Sequence, residues 1–460
     1  MGLLSINRAT LPTQRDYSRV LRLGLPVLLT QAGMIAVSFA DTMMVGEYGT
    51  NELASAAFVN NIFFTLIATM IGFASGITPL VGSYYARRMN LSVGQTLRVA
   101  LQLNLALALL FTAVMTVAYF NLHRFGQPEE LLPLIRPYFI IILCSLVPTA
   151  LFNAFQQTSN GITNTSLPMW IILGANVLNI LGNYALIYGH WGAPEMGLNG
   201  AGISTLTARI VSLLVLGGIM LFSPRYRIYR RGLLSPLRAR TRRARLFATS
   251  WPVMLQVGVE CGLWGVGGVV CGWFGAIKLA AYQIIVTISQ LGFMTYMSFA
   301  VAASVLVSNN TGLKNYVVVR RTATAGLFII LALCTIVSLF LALCCRHLLP
   351  LFTTDEAVIA SALTLILPMI IYQYLDGTQI NYANCLRGTG NVRPLLVVAL
   401  ISYVAVGIPV LLFLSVWCNL QSVGIYLSFN VALLVAAILQ YVAFSRTVRK
   451  MEAAEHPSKG

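Results

Sequence analysis

The chain has 460 residues, 58% of them hydrophobic and 9% charged, with a mean hydropathy of +0.79. A soluble domain carries about 25% charged residues, so a soluble enzyme or binding module is excluded. The formal net charge of +17 raises nucleic acid as a partner, and the placement of the bases argues against it.

Apolar stretches long enough to cross a bilayer core of about 30 Å recur from end to end. Twelve are read, centred near residues 33, 66, 108, 145, 177, 210, 260, 293, 332, 371, 405 and 433. The opening MGLLSINRATLPTQRDYSRVL has no short apolar core ahead of a small-residue cleavage site, so neither a signal nor a transit peptide is expected. Span one starts near Pro26 and holds Asp41 in MIAVSFADTMMVG. Span five reads GANVLNILGNYALIYG, with Asn179 and Asn183 four apart on one face and Asn176 beside them. Span six holds Arg209, the one base read as deep in a span. Span seven starts near Pro252 and carries Glu260 in VMLQVGVECGLWG, in a glycine-rich run. Span ten holds Tyr372 and Asp376 in PMIIYQYLDGTQI, again four apart and on one face.

Orientation follows from the bases. With the N-terminus in the cytoplasm, the inside loops collect Arg8, Arg15, Arg19, Arg22, Arg87, Arg88, Arg98, Lys314, Arg320, Arg321, Arg387, Arg393, Arg446, Arg449 and Lys450. The loop after span six adds nine arginines between Arg225 and Arg245. The outside loops keep Arg124, Arg136, Lys278 and Arg346. This positive-inside bias places both termini in the cytoplasm. The arginine-rich loop reads as an orientation signal and lipid-headgroup contact, and no nucleic-acid partner is expected. The eight cysteines lie almost all in spans without a C-x-x-C pair, so they read as packing residues.

The two halves repeat. Pro26 and Pro252 stand 226 positions apart, and at the same offset Gly46 meets Gly272, Gly49 meets Gly275, and Leu53-Ala54 meet Leu279-Ala280. Six spans per half make the repeats parallel, related by an axis along the membrane normal with a cavity between them. The expected fold is an all-α membrane protein: twelve transmembrane helices in two pseudo-symmetric six-helix lobes around a central cleft. The lobes are read as residues 1–222 and 247–447, joined by a cytoplasmic basic linker, 223–246, and followed by a tail, 448–460. Pro26 and Pro252, each near the cytoplasmic start of its span, are candidate hinges.

Only thirteen Asp and Glu occur in the chain, and three lie inside spans: Asp41, Glu260 and Asp376. A carboxylate there costs a few kcal/mol and marks a functional site by default. The plain alternative is a protonated acid bonded to a neighbouring helix. At a rise of about 1.5 Å per residue, Glu260 lies about 18 Å and Asp376 about 15 Å from the inner ends of their spans, so they can meet near the midplane. Tyr372 adds a phenol oxygen to an oxygen shell suited to a monovalent cation. Two close carboxylates can instead share one proton, because their charges repel. Asp41 lies about 10 Å nearer the outside, in the other half, with Asn179 and Asn183 as its natural partners. Structural glue and a transport role are both open for these amides. The aromatic and methionine residues Trp264, Phe293 and Met297 stand on the same spans. They read as core, as lipid-facing surface, or as a surface that stacks on a flat organic cation. No Walker A motif, G-x-S-x-G, H-E-x-x-H or paired histidines occur, so neither an enzyme nor direct ATP drive is expected.

The chain resembles the MATE (multidrug and toxic compound extrusion) family, and within it the NorM-like branch. The resemblance covers nearly the whole length. Its pieces are FADTMMVG, SGITPLVGSYYARR, NILGN and GLNGAGIST in the first half. In the second they are WPVMLQVGVE, AAYQIIVTISQLGFM and LDGTQINYANCLRGTGNVRP. The resemblance implies efflux of amphipathic organic cations, such as drugs or dyes, by alternating access in exchange for sodium or protons. It implies no cofactor, a single chain among membrane lipids, and a bacterial inner membrane. It makes Glu260, Asp376 and Tyr372 a C-lobe cation site, with sodium held at Glu260 and Asp376. It makes Asp41, Asn179, Asn183 and Thr205 an N-lobe site, where some relatives carry an aspartate at the position of Asn183. Both C-lobe acids together favour the NorM-like over the DinF-like branch and lean towards sodium. Trp264, Gln283, Phe293 and Met297 are the candidate cleft residues for substrate.

Three other readings compete. A flippase for lipid-linked oligosaccharide or peptidoglycan precursor needs bases in its cavity for the pyrophosphate, and the spans are read as offering only Arg209. A major-facilitator carrier shares the six-plus-six plan but lacks here its acidic loop between spans two and three. A non-transporting receptor leaves the repeat and the paired acids unexplained.

Overall fold

The computed structural model describes residues 11–125, 128–235, 239–353 and 355–455. Arg8, Arg238 and residues 456–460 of the expected tail lie outside the described residues. Among the described residues all regular structure is helical, and twelve helices are long and apolar enough to cross a membrane. In chain order they are Gln14–Tyr48, Thr50–Ala86, Asn90–Phe120, Glu129–Gly161, Ser166–Tyr188, Leu198–Phe222, Thr241–Gly272, Ala276–Gly312, Tyr316–Leu348, Glu356–Gly388, Arg393–Trp417 and Gln421–Glu455. The expected all-α, twelve-span architecture is what this chain forms. Large apolar side chains remain bare, among them Leu214, Leu343 and Trp417 at 65%, 71% and 81% exposure. Hydrocarbon solvates such side chains, whereas it offers nothing to a bare amide, so the backbone closes its hydrogen bonds within helices.

The chain divides into two compact units, and not at the linker. One unit takes the first helix up to Leu28 together with residues from Leu255 onward; the other runs Leu29–Met254. Each boundary falls two residues past a proline inside a helix, Pro26 or Pro252. The sequence reading places its lobe boundaries elsewhere, at 222/223 and 246/247. Each repeat sends the opening turns of its first helix into the other repeat's unit. Val20 is fully buried in a cluster with Tyr296, Phe299 and Ala302, while Leu246 is buried with Ala74 and Ile77. Gly24 lies against the Phe299 ring, and Gly76 against the backbone of Ser250. The helix that carries the seventh span runs Ala239–Gly272 and so begins inside the basic stretch, making part of the expected linker its first turns. The twelfth helix likewise continues to Glu455, into the expected tail, where Glu452 and Glu455 pair with Arg320 and Lys314.

The rest of the basic stretch is docked on its own unit. A short helix, Arg227–Leu234, crosses the third helix where two glycines meet backbone: Gly94 faces Tyr229 and Leu233, and Gly232 faces Leu91. Arg242 donates to Ser92 Oγ at 3.3 Å, Arg245 donates to Tyr84 Oη at 3.3 Å, and both guanidiniums lie over the Tyr84 ring. Arg242 and Arg245 are therefore held by protein.

Candidate functional site

In the unit Leu29–Met254 the fifth and sixth helices approach closely enough that a Cβ on Gly182 would meet the Ser204 side chain. Ser204 Oγ donates to the Asn179 carbonyl at 2.7 Å and locks the pair. This register brings Asp41, Asn179, Asn183 and Thr205 together. Asn183 Nδ2 donates to Asp41 Oδ1 in a short hydrogen bond. Asn179 satisfies both its neighbours with Nδ2 on Asp41 Oδ1 at 2.9 Å and its oxygen accepting from Thr205 N and Oγ1 at 3.2 Å. Asp41 thus receives two amide donors on its Oδ1. The same amides would have to turn to offer oxygen to a cation. Asn176 lies beside Gly33 of the first helix with its Nδ2 unpartnered, and takes no part in the cluster. Arg209 is anchored on Ser145 Oγ at 2.5 Å, at the break between Leu132–Cys144 and Leu146–Gly161. Asp41 and Tyr138 lie within its electrostatic reach.

In the other unit the seventh, tenth and eleventh helices converge on Glu260 and Asp376. Asp376 is 1% exposed and its Oδ2 has no hydrogen-bond partner. The two acids interact electrostatically, with the Tyr372 hydroxyl against Asp376 and that of Tyr403 facing Glu260. Trp264 stands edge-on to Tyr372 at 5.3 Å and lies tilted against Phe429 at 4.6 Å, and Tyr426 continues the aromatic wall. Two acids and two phenols thus lie among aromatic rings in a low-dielectric surround, where charges interact strongly. No group of three or more His, Cys, Asp or Glu side chains able to hold a metal ion occurs among the described residues.

Sequence reading missed Tyr403 and Arg387. Tyr403 lies in a wide-turned π-helical stretch, Leu400–Gly407. Such single-turn widenings occur frequently at functional sites. Arg387 was counted with an inside loop. It is instead a helical residue, 7% exposed, in a run where every residue from Gln379 to Gly388 is buried. Arg387 is the penultimate residue of its helix, Glu356–Gly388, and is buried there.

The four cleft candidates do not converge. Trp264 belongs to the aromatic wall beside Tyr372. Phe293 and Met297 pack against the separate cluster around Tyr296 and Phe299, where Asn384 Nδ2 approaches Met297 Sδ at 3.7 Å. Gln283 is exposed on the eighth helix.

Two repeats of six membrane helices, each holding acids at membrane depth among polar partners, define a multi-pass membrane transporter rather than an enzyme. The model of the family described as MatE matches twice, at residues 26–185 and 252–413, once per repeat and starting at each proline. The chain belongs to the MatE family. It is 26% identical over 441 residues to "Probable multidrug resistance protein NorM" of Photorhabdus laumondii, covering 95% of this chain and 97% of that one. It is 28% identical over 466 residues to "Multidrug resistance protein PmpM" of Pseudomonas aeruginosa, covering 97% and 96%. Its fold matches an outward-facing multidrug resistance MATE family transporter of the MOP superfamily with a TM-score of 0.86, at 17% identity over 95% of this chain and 97% of that one.

Proposed function

We propose that this protein is a cation-coupled antiporter that exports amphipathic organic cations by alternating access, with sodium favoured over protons as the coupling ion. It works as a single chain in a bacterial inner membrane, with both termini in the cytoplasm. The names of its relatives support multidrug efflux, and the distribution of bases supports the orientation. The observation that carries the reading is the buried pair Glu260 and Asp376. An acid that is 1% exposed with an unpartnered oxygen is stabilised by a cation, so loading and release of that cation change the energy of the unit. Asp41, Asn179, Asn183 and Thr205 serve as a second cation-responsive site, and Pro26 and Pro252 as hinges.

The test is Asp376→Asn in proteoliposomes loaded with ethidium. The variant should keep its fold and lose efflux driven by sodium or by protons. Unimpaired gradient-driven efflux in this variant would refute the assigned role.

A further inference from the structure

A guanidinium is shut in with the acids of the second unit. Arg387 is 7% exposed, Gln256 1% and Asn384 4%. Arg387 Nη2 donates to Gln256 Oε1 at 3.0 Å, and Nη1 reaches Asn384 Oδ1 at 3.5 Å. Its Nε and the Gln256 Nε2 are buried without partners. Gln256 precedes Glu260 by one turn of the seventh helix, about 6 Å, so the guanidinium is anchored one turn to the linker side of that acid. Glu260 and Tyr403 are the ionisable groups that act on it. No carboxylate among the described residues forms an ion pair with it.

A buried arginine is strongly disfavoured unless a charge offsets it, and two amide oxygens do not do so. Glu260, one turn away, is the available counter-charge. Conversely, two buried carboxylates without a resident cation would hold a mobile cation too tightly to let it go, and transport requires binding weak enough for exit.

We propose that Arg387 is the resident counter-charge of the Glu260–Asp376 pair, a positioning residue that offsets one carboxylate, limits the site to one mobile monovalent cation, and permits that cation to leave. This inference rests on the antiport reading. The guanidinium does not enter the oxygen shell. It sets the local field from its anchor on Gln256 and leaves Asp376 to bind the ion.

The experiment is ethidium efflux from proteoliposomes under a sodium gradient and, separately, a proton gradient. The half-saturating concentration of the driving cation and the maximal rate are measured for wild type, Arg387→Gln and Arg387→Lys. Arg387→Gln should lower the half-saturating concentration by about tenfold and lower the maximal rate by about as much. Arg387→Lys should restore both, which a merely structural role would not predict. If Arg387→Gln does not fold, Gln256→Leu keeps the charge but frees its anchor. It should shift the half-saturating concentration in the same direction by about threefold. An unchanged or raised half-saturating concentration, with the wild type active, overturns this inference and leaves the antiport reading standing. Wild-type efflux under neither gradient removes both.

Discussion

Val20 and Leu246 stand 226 positions apart, occupy equivalent places in the two repeats, and are 0% and 1% exposed, each within the core of the other repeat's unit. The helix that begins each repeat therefore has two allegiances, divided two residues past its proline. Truncating a buried leucine costs the lost transfer energy plus a cavity. Leu246→Ala is expected to destabilise the protein by about 2–5 kcal/mol. Leu21→Ala, at a neighbouring position that is 39% exposed, is expected to change stability by about 0.5 kcal/mol or less. Denaturant unfolding of both variants in detergent checks the contrast. Equal effects would mean that the opening turns are not part of a packed core.

The second pair of equivalent positions separates the repeats. Gly49 and Gly275 both cap the second helix of their repeat. Gly49 has extended backbone at φ −176°, and Gly275 has φ +96° with ψ 168°. Only glycine adopts the latter conformation without strain of about 1–3 kcal/mol. Nothing crowds a Cβ at Gly275, and at Gly49 a Cβ meets only the flexible end of Glu52. Backbone strain is therefore the term that differs. Gly275→Ala is expected to lower the unfolding free energy by about 1 kcal/mol more than Gly49→Ala, read from paired unfolding curves.

The spans were legible because hydropathy in lipid is a strong constraint and the twelve apolar runs are separated by charged or polar turns. The three acids were legible for the same reason: against so apolar a background a carboxylate stands out. The Asp41 partners could be named because Asn179 and Asn183 share a helix face. Three features were not legible. The exchange of Val20 and Leu246 is set by tertiary packing, which leaves no trace in a periodic pattern. Tyr403 is placed by a local widening of the helix that no 3.6-residue period anticipates. Arg387 sits between apolar and loop-like sequence, and LRGTGNVRP reads as a helix end in either case, so its burial comes only from the neighbouring eighth and seventh helices.

Asn183 gives a prediction with a definite pH sign. Its Nδ2 donates to Asp41 Oδ1, so Asn183→Asp places two carboxylates at hydrogen-bond distance. Both cannot be charged there, and the pair holds one proton between them. The proton is bound more tightly in the folded state than in the unfolded chain. The variant's folded state is thus favoured at low pH and loses stability as pH rises through the range where the shared proton leaves. Wild type, with an amide donor in that place, should lose less stability over the same range. Unfolding midpoints of both proteins from pH 5 to pH 9 decide it. Parallel curves would mean that position 183 is not in contact with Asp41 in solution.

Tyr403→Phe isolates one hydroxyl. Tyr403 is 2% exposed and its oxygen faces Glu260, so the phenylalanine ring keeps the packing and removes only the polar contact. The hydroxyl has no hydrogen-bond partner within the described residues, and Glu260 is the first acid that acts on it. When an ion is bound, the phenol supplies an oxygen beside the carboxylate; when the site is empty, it shields Glu260. If the hydroxyl served both states equally, the variant would lose stability and keep its cation affinity. If Glu260 and Asp376 hold the coupling ion as proposed, the contact counts more with the ion present. The half-saturating concentration of the driving cation should therefore rise by about tenfold, with an unfolding midpoint close to wild type. A lowered midpoint with unchanged half-saturation would assign Tyr403 to packing and leave the shell to Glu260, Asp376 and Tyr372.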